Sequence, residues 1–148
     1  MPAGKTTVSH GTETITVPMG AIVVLGRLFF ALIFLMAAPN NFTKQGIAYA
    51  ASQGAPLASI GVPLMGVISL VGGLSILLGY RARIGAWLIV AFLVIVTPIM
   101  HRFWGIADPM MAQVQMINFM KNLSMLGGAL LIAQFGAGPL SLDARRSF

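Results

Sequence analysis

The sequence predicts an all-α polytopic membrane protein, a bundle of four transmembrane helices. Three observations carry that expectation. Of 148 residues, 57% are hydrophobic and 8% charged, about a third of the charged fraction of a soluble domain. Four apolar stretches come close to or exceed the roughly 18–20 residues that cross a bilayer core. Proline, glycine and short basic segments separate them, which leaves room for one membrane domain and no soluble one.

Composition also excludes several function classes. The net charge of +6 reflects a scarcity of acids, with Glu13, Asp108 and Asp143 the only ones. The basic residues are scattered through short loops and tails, a pattern of membrane topology rather than of a nucleic-acid-binding face, so no nucleic-acid partner is expected. Without cysteine the chain cannot perform thiol–disulfide chemistry or offer thiolates to a metal. With two histidines and no carboxylate in any span, no metal-ligand set is available. No glycine-rich phosphate loop follows a strand, and no nucleophile–base pair stands out. The ten methionines are dispersed and read as adaptable apolar filler.

Taken in order, residues 1–17 form a polar tail with some strand-like alternation but no evident partner strand, expected to be flexible or to lie on the membrane surface. The first span covers about 19–38, between Pro18 and Pro39. Its charged start and the embedded Arg27 favour a retained helix over a cleaved signal peptide. The loop 39–56 contains FTKQGIAYAASQ, which suits a short amphipathic helix at the interface. A second span covers about 57–78 and contains Pro63, with Gly66, Ser69 and Gly73 spaced for close helix contact. The link 79–83 permits only a tight antiparallel return. A third span, about 84–100, ends at His101–Arg102–Phe103–Trp104, an interfacial aromatic cluster. Residues 105–111 read as a turn, and a fourth span covers about 112–135. Residues 137–148 read as a tail. SLVGGLSIL in the second span and SMLGGALLI in the fourth form a weak internal repeat, compatible with a duplicated hairpin.

Four spans place the N-terminal tail, the 79–83 link and the C-terminal tail on one side. That side holds Lys5, Arg81, Arg83, Arg145 and Arg146, against Lys44 and Arg102 on the other. The bias puts both termini in the cytoplasm.

Two cations interrupt the apolar runs. Arg27 and Lys121 each lie about 13 Å from the start of their spans at 1.5 Å per residue, which suggests similar depth near mid-bilayer. Gln115, Asn118 and Asn122 share a helix face beside Lys121. Intramembrane charges are costly and pair with opposite charge or line a wet cavity, yet no span contains an acid. Three readings stay open. The cations hydrogen-bond within the bundle to Asn118, Asn122, Ser69, Gln115 and carbonyls; they bind a carbonyl-bearing or anionic ligand such as a quinone, a lipid phosphate or a small anion; or they meet acids on a protein partner subunit or another copy in a homo-oligomer. Each predicts a polar pocket in the outer half of the bundle. His101 has the pKa range for a proton relay and equally suits an amphipathic anchor.

GRLFFALIFLMAA, the AYAASQGAPL and VGGLSILLGYRAR stretches, HRFW, QMINFMKNLSMLGGALLI and a closing GPLSLDA together resemble the DoxX family, in order and spacing, across residues 21–144. The resemblance implies a small four-helix protein of the bacterial inner membrane, acting as the membrane subunit of a quinone-linked redox system. The chain would carry no intrinsic cofactor, and its partner would hold the electron carriers. The ligand would be held by Arg27, Lys121, Asn118 and Asn122, with Gln115, Ser69 and His101 nearby. Many members have a Glu just before the Gly-Gly of the second span, where this chain has Ser69, so a carboxylate that could balance the cations is missing there. The competing reading is a non-enzymatic scaffold or a carrier for a small solute or lipid.

Overall fold

A computed structural model describes residues 5–10 and 13–146; residues 1–4, 11–12 and 147–148 of the two tails lie outside it. Four long helices build the membrane domain: α1 (Met19–Ala37), α3 (Ala58–Leu78), α4 (Ala82–Met100) and α5 (Pro109–Phe135). Two short ones, α2 (Lys44–Ser52) and α6 (Leu142–Arg146), flank it. All four long helices are long and apolar enough to span a bilayer, so the protein is an integral membrane protein with an all-α membrane domain.

Neighbours in sequence are neighbours in space: α1 packs on α3, α3 on α4 and α4 on α5. Phe30 of α1 against Gly128 of α5 closes the ring. The core is Phe34, Ile76, Ala86, Ile89, Leu93, Ala129 and Ala133. Large apolar side chains such as Phe29, Met36, Ile60 and Leu131 point outward. Lipid tails solvate them as well as a core would, so the contact surfaces belong to small residues that let backbones approach. Gly66, Ser69 and Gly73 form such a stripe, as their spacing predicts. Gly66 lies under Asn41 and Phe42, and Gly73 under Leu35 and Phe34 of α1. Gly72 faces the other way, onto the Gly85 carbonyl and Ile89 of α4. In the internal repeat the corresponding second glycines, Gly73 and Gly128, both meet α1.

Local chemistry moves several boundaries. The strand-like alternation of the N-terminal tail finds its partner within the tail: β1 (Lys5–His10) pairs antiparallel with β2 (Glu13–Pro18), in register from Lys5↔Pro18 to His10↔Glu13. Pro39 does not stop the chain's helical path. It opens a 3-10 turn, Ala38–Phe42, that extends the first span. The short helix expected in the 39–56 loop forms as α2, capped by Thr43, whose hydroxyl accepts from Gly46 N at 2.9 Å. The fourth helix starts at Pro109, inside the stretch expected to be a turn, because Asp108 caps it by accepting from Met110 N at 3.0 Å and Pro suits the first helical position.

The helices are not flush. Asn122 Nδ2 donates to Thr97 Oγ1 at 3.1 Å, which sets Thr97 and Asn122 level. Counting from that pair, α5 stands about 15 Å beyond the end of α4 at 1.5 Å per residue. At the opposite end of the bundle α1 begins well before its neighbours. Arg27, eight residues into α1, abuts Gly79 at the end of α3, so α1 overhangs there by about 12 Å. Residues 136–146, expected to be a tail, fold back against this overhang. Leu140 covers Gly20, Gly138 covers Val23 and Ser141 meets Gly79. Both termini of the helical domain therefore lie at this end, called here the terminal end.

Candidate functional site

The stagger separates the two cations. Arg27 lies on the terminal side of the Phe30–Gly128 contact and Lys121 on the other, between about 15 and 20 Å apart along the bundle. Lys121 is exposed and roughly level with the last turn of α4, about 3 Å from its end. Shared depth near mid-bilayer, inferred by counting from helix starts, does not hold, because α1 and α5 overhang in opposite directions. The structure thus has two polar sites, one at each end.

At the terminal end Arg27 is buried, with 5% of its surface exposed. Its Nη2 donates to the Leu140 carbonyl at 2.8 Å. Nε and Nη1 are buried and have no hydrogen-bond partner among the described residues. The Asp143 carboxylate acts on the guanidinium electrostatically, so the expectation that no acid of this chain balances Arg27 is corrected: the acid comes from beyond the last span. Asp143 is held by the start of α4. Its two oxygens accept from Arg81 N at 2.7 Å and Ala82 N at 2.9 Å. Its own N–H donates to the Gly79 carbonyl at 2.8 Å. A carboxylate on a helix N-terminus satisfies orphan donors and meets the positive end of the helix dipole. Gly79 makes the turn possible with φ +64; a Cβ there would strike Arg27 and Ser141.

Around this latch Tyr80 carries Arg146 over its ring at 4.6 Å, with Arg81 on the same ring at 6.0 Å. A hydrogen bond from Arg146, then the charges of Arg146 and Arg81, hold the Tyr80 hydroxyl below the ordinary tyrosine range. Beside it lies an open groove of about 440 Å³, lined by Arg81, Arg83, Ile84, Phe135 and the backbone of 136–138.

At the opposite end the polar face of α5 is partly used by the fold. His101 Nδ1 and Gln115 Oε1 are 3.0 Å apart, pinning the loop after α4 to α5. Phe103, Trp104 and Phe119 stack edge to face with ring centroids 5.3–6.0 Å apart, so the aromatic cluster is packed on α5 rather than free in the interface. Asn122 is occupied by Thr97. Asn118 is half-buried without a hydrogen bond among the described residues. Lys121 beside them has neither a hydrogen bond nor an ion pair among the described residues. Ser69 is elsewhere: it is 2% exposed, bonds the Gly66 carbonyl at 3.1 Å and belongs to the α1–α3 contact. Of the seven candidate residues, then, Gln115, Asn118, Lys121, Asn122 and His101 share one end, Arg27 sits at the other and Ser69 between. Asp143, Tyr80 and the 136–146 segment were missed by sequence reasoning. The Ser141–Leu142–Asp143 run has the capping chemistry of a helix start, with Ala144 N donating to Ser141 Oγ at 3.1 Å, and was the available signal.

Two curated proteins of Escherichia coli (strain K12) are similar to this chain. "Inner membrane protein YphA" is 31% identical over 126 residues, 84% of this chain and 89% of that protein. "Inner membrane protein YqjF" is 30% identical over 121 residues, 82% and 88% respectively. No solved structure matches significantly. The family model that matches is that of the SURF4 family, over residues 57–147, which overturns the resemblance to the DoxX family: the apolar, glycine-spaced stretches that carried it are the general grammar of tightly packed membrane helices. That match takes in α3 to α6, including the latch, and the chain belongs to the SURF4 family.

Proposed function

We propose that the protein is a non-catalytic binding subunit of the bacterial inner membrane, with its terminal end cytoplasmic. Its α5 face would hold the head group of a bilayer-soluble ligand that enters sideways from the lipid. The observation that carries this reading is Lys121: an exposed ammonium about half a turn below the end of α4, without a protein partner among the described residues. Half-buried Asn118 stands beside it. An ammonium in that position recovers part of its desolvation cost by meeting a carbonyl or anionic oxygen. Asn118 can donate a second bond, and the His101–Gln115 pair closes the site from above. A quinone fits this chemistry, with two carbonyls on a head group attached to a lipid-soluble tail. The chain's own residues would bind and orient it, and a partner subunit would supply the electron carriers. The inner-membrane names of the two relatives support the location, and Arg81, Arg83, Arg145 and Arg146 at the terminal end support the orientation.

A carrier for a small solute is the weaker reading, because the 136–146 segment covers the terminal end of α1 and the α3–α4 link, where a solute would have to leave. The test is photolabelling by an azido-quinone in nanodiscs. Labelling should map to α5 and fall several-fold in Lys121→Gln while Arg27→Gln, if folded, keeps it. Equal labelling of wild type and Lys121→Gln would reject the quinone site.

A further inference from the structure

We propose a second site, independent of the Lys121 reading: the groove at the terminal end binds the phosphate-bearing head group of an anionic phospholipid. Three observations converge on it. Two guanidinium-bearing residues, Arg81 and Arg83, line the groove, and both are exposed. The acid that also lines it, Asp143, has both carboxylate oxygens engaged by backbone N–H groups of residues 81 and 82 and acts inward on Arg27. The charge the groove presents outward is therefore positive. Arg83 has no hydrogen bond among the described residues, so its planar fork of donors is available to a phosphodiester.

The walls say that the anion carries acyl chains. Ile84 is 55% exposed and Phe135 75% exposed, and both line the same groove. Trp87 follows Arg83 by one helical turn on the same face of α4 and is 58% exposed. A head group seated on Arg81 and Arg83 would run its tails down Ile84, Trp87 and Phe135 into the bilayer. A free anion would leave those walls bare. The floor is backbone: Gly136 and Gly138, with φ +81 and +71, turn the chain sharply. A Cβ at Gly136 would lie in van der Waals contact with Arg83, 3.4 Å from its Nε, so the turn packs directly beneath the guanidinium. Basic pockets at this level of a membrane protein suit anionic head groups, and each arginine near the surface strengthens binding about fivefold.

The test is native mass spectrometry of the full chain in detergent, titrated with phosphatidylglycerol and with phosphatidylcholine of the same acyl chains, with inorganic phosphate as competitor. Wild type should retain phosphatidylglycerol about tenfold or more over phosphatidylcholine. Arg83→Gln should lose about fivefold of that preference and Arg81→Gln/Arg83→Gln essentially all of it, while Arg102→Gln, at the opposite end, should change nothing. If the double variant fails to fold, Arg83→Gln alone decides, since that side chain holds no part of the fold together. Equal retention of the two lipids by wild type would overturn the proposal, as would an undiminished preference in Arg83→Gln. Displacement of phosphatidylglycerol by an equal concentration of inorganic phosphate would assign the groove to a free anion and overturn the lipid.

Discussion

At the scale of single residues, the clearest case is a carboxylate doing three jobs. Asp143 caps the start of α4 through two N–H bonds, acts electrostatically on the buried Arg27, and ties its own backbone to Gly79. Removing an N-cap side chain costs about 1 kcal/mol, and leaving a buried charge without its partner costs more. Asp143→Ala should therefore lower stability by about 2–4 kcal/mol, and Asp143→Asn by less, since the amide oxygen can still accept; thermal unfolding in detergent checks both. Tyr80 offers a readout of the same corner. Its ionised form is favoured in the folded protein, so any stability it contributes is present only above the ordinary tyrosine range, is lost as pH falls through its lowered folded value, and is absent at neutral pH. In a Tyr49→Phe background, the ultraviolet phenolate absorbance of Tyr80 should appear below the ordinary range, and Arg146→Gln should move it upward. An unmoved titration would show that Arg146 does not hold the hydroxyl.

At the scale of helices, close approach is set by glycine and register by one hydrogen bond. A Cβ at Gly72 would lie 2.9 Å from the Gly85 carbonyl of α4, which is backbone and cannot swing aside, whereas Gly127 of α5 has nothing within 4 Å. Gly72→Ala should thus destabilise the α3–α4 pair by about 1–3 kcal/mol, while Gly127→Ala should be close to neutral; unfolding midpoints of the two variants separate the cases. The Asn122–Thr97 bond is a weaker constraint. Interhelical hydrogen bonds in membranes contribute about 0.6 kcal/mol on average, so Thr97→Val should cost about that much and leave the fold intact. Helix identity was legible in the sequence at this scale, since hydropathy and proline positions place all four spans within a few residues. The start of α5 was also written there, as Asp108–Pro109, but the run of loop-like residues before it masked the cap.

For the whole molecule, depth is the quantity the sequence concealed. Counting rise from a helix start assumes that helices begin at a common plane, and here α1 and α5 overhang in opposite directions. The stagger arises from contacts between residues far apart in sequence: Thr97 with Asn122, Arg27 with Leu140, the 81–82 backbone with Asp143. No local pattern encodes them. The polar face of α5 was legible from helical spacing, while the electrostatic influence on Arg27 of an acid 116 positions later was not. Two clusters of polar residues at opposite ends stand where one polar pocket in the outer half of the bundle was expected. Substitutions at Lys121 and at Arg83 should consequently act independently, their effects on ligand retention adding within about 0.5 kcal/mol, as a double-mutant comparison by native mass spectrometry would show.

The latch also dictates an order of assembly. Asp143 is synthesised some sixty residues after the α4 start that it caps. Until residues 140–143 follow, the N–H groups at that corner and the guanidinium of Arg27 must be served by water or lipid. The corner between α3 and α4 therefore closes only after the last span has been made. A chain arrested at residue 140 would have its four long helices in place and this one corner open, with the Arg81 and Ala82 N–H groups and the Gly79 carbonyl exposed to whatever the membrane surface offers.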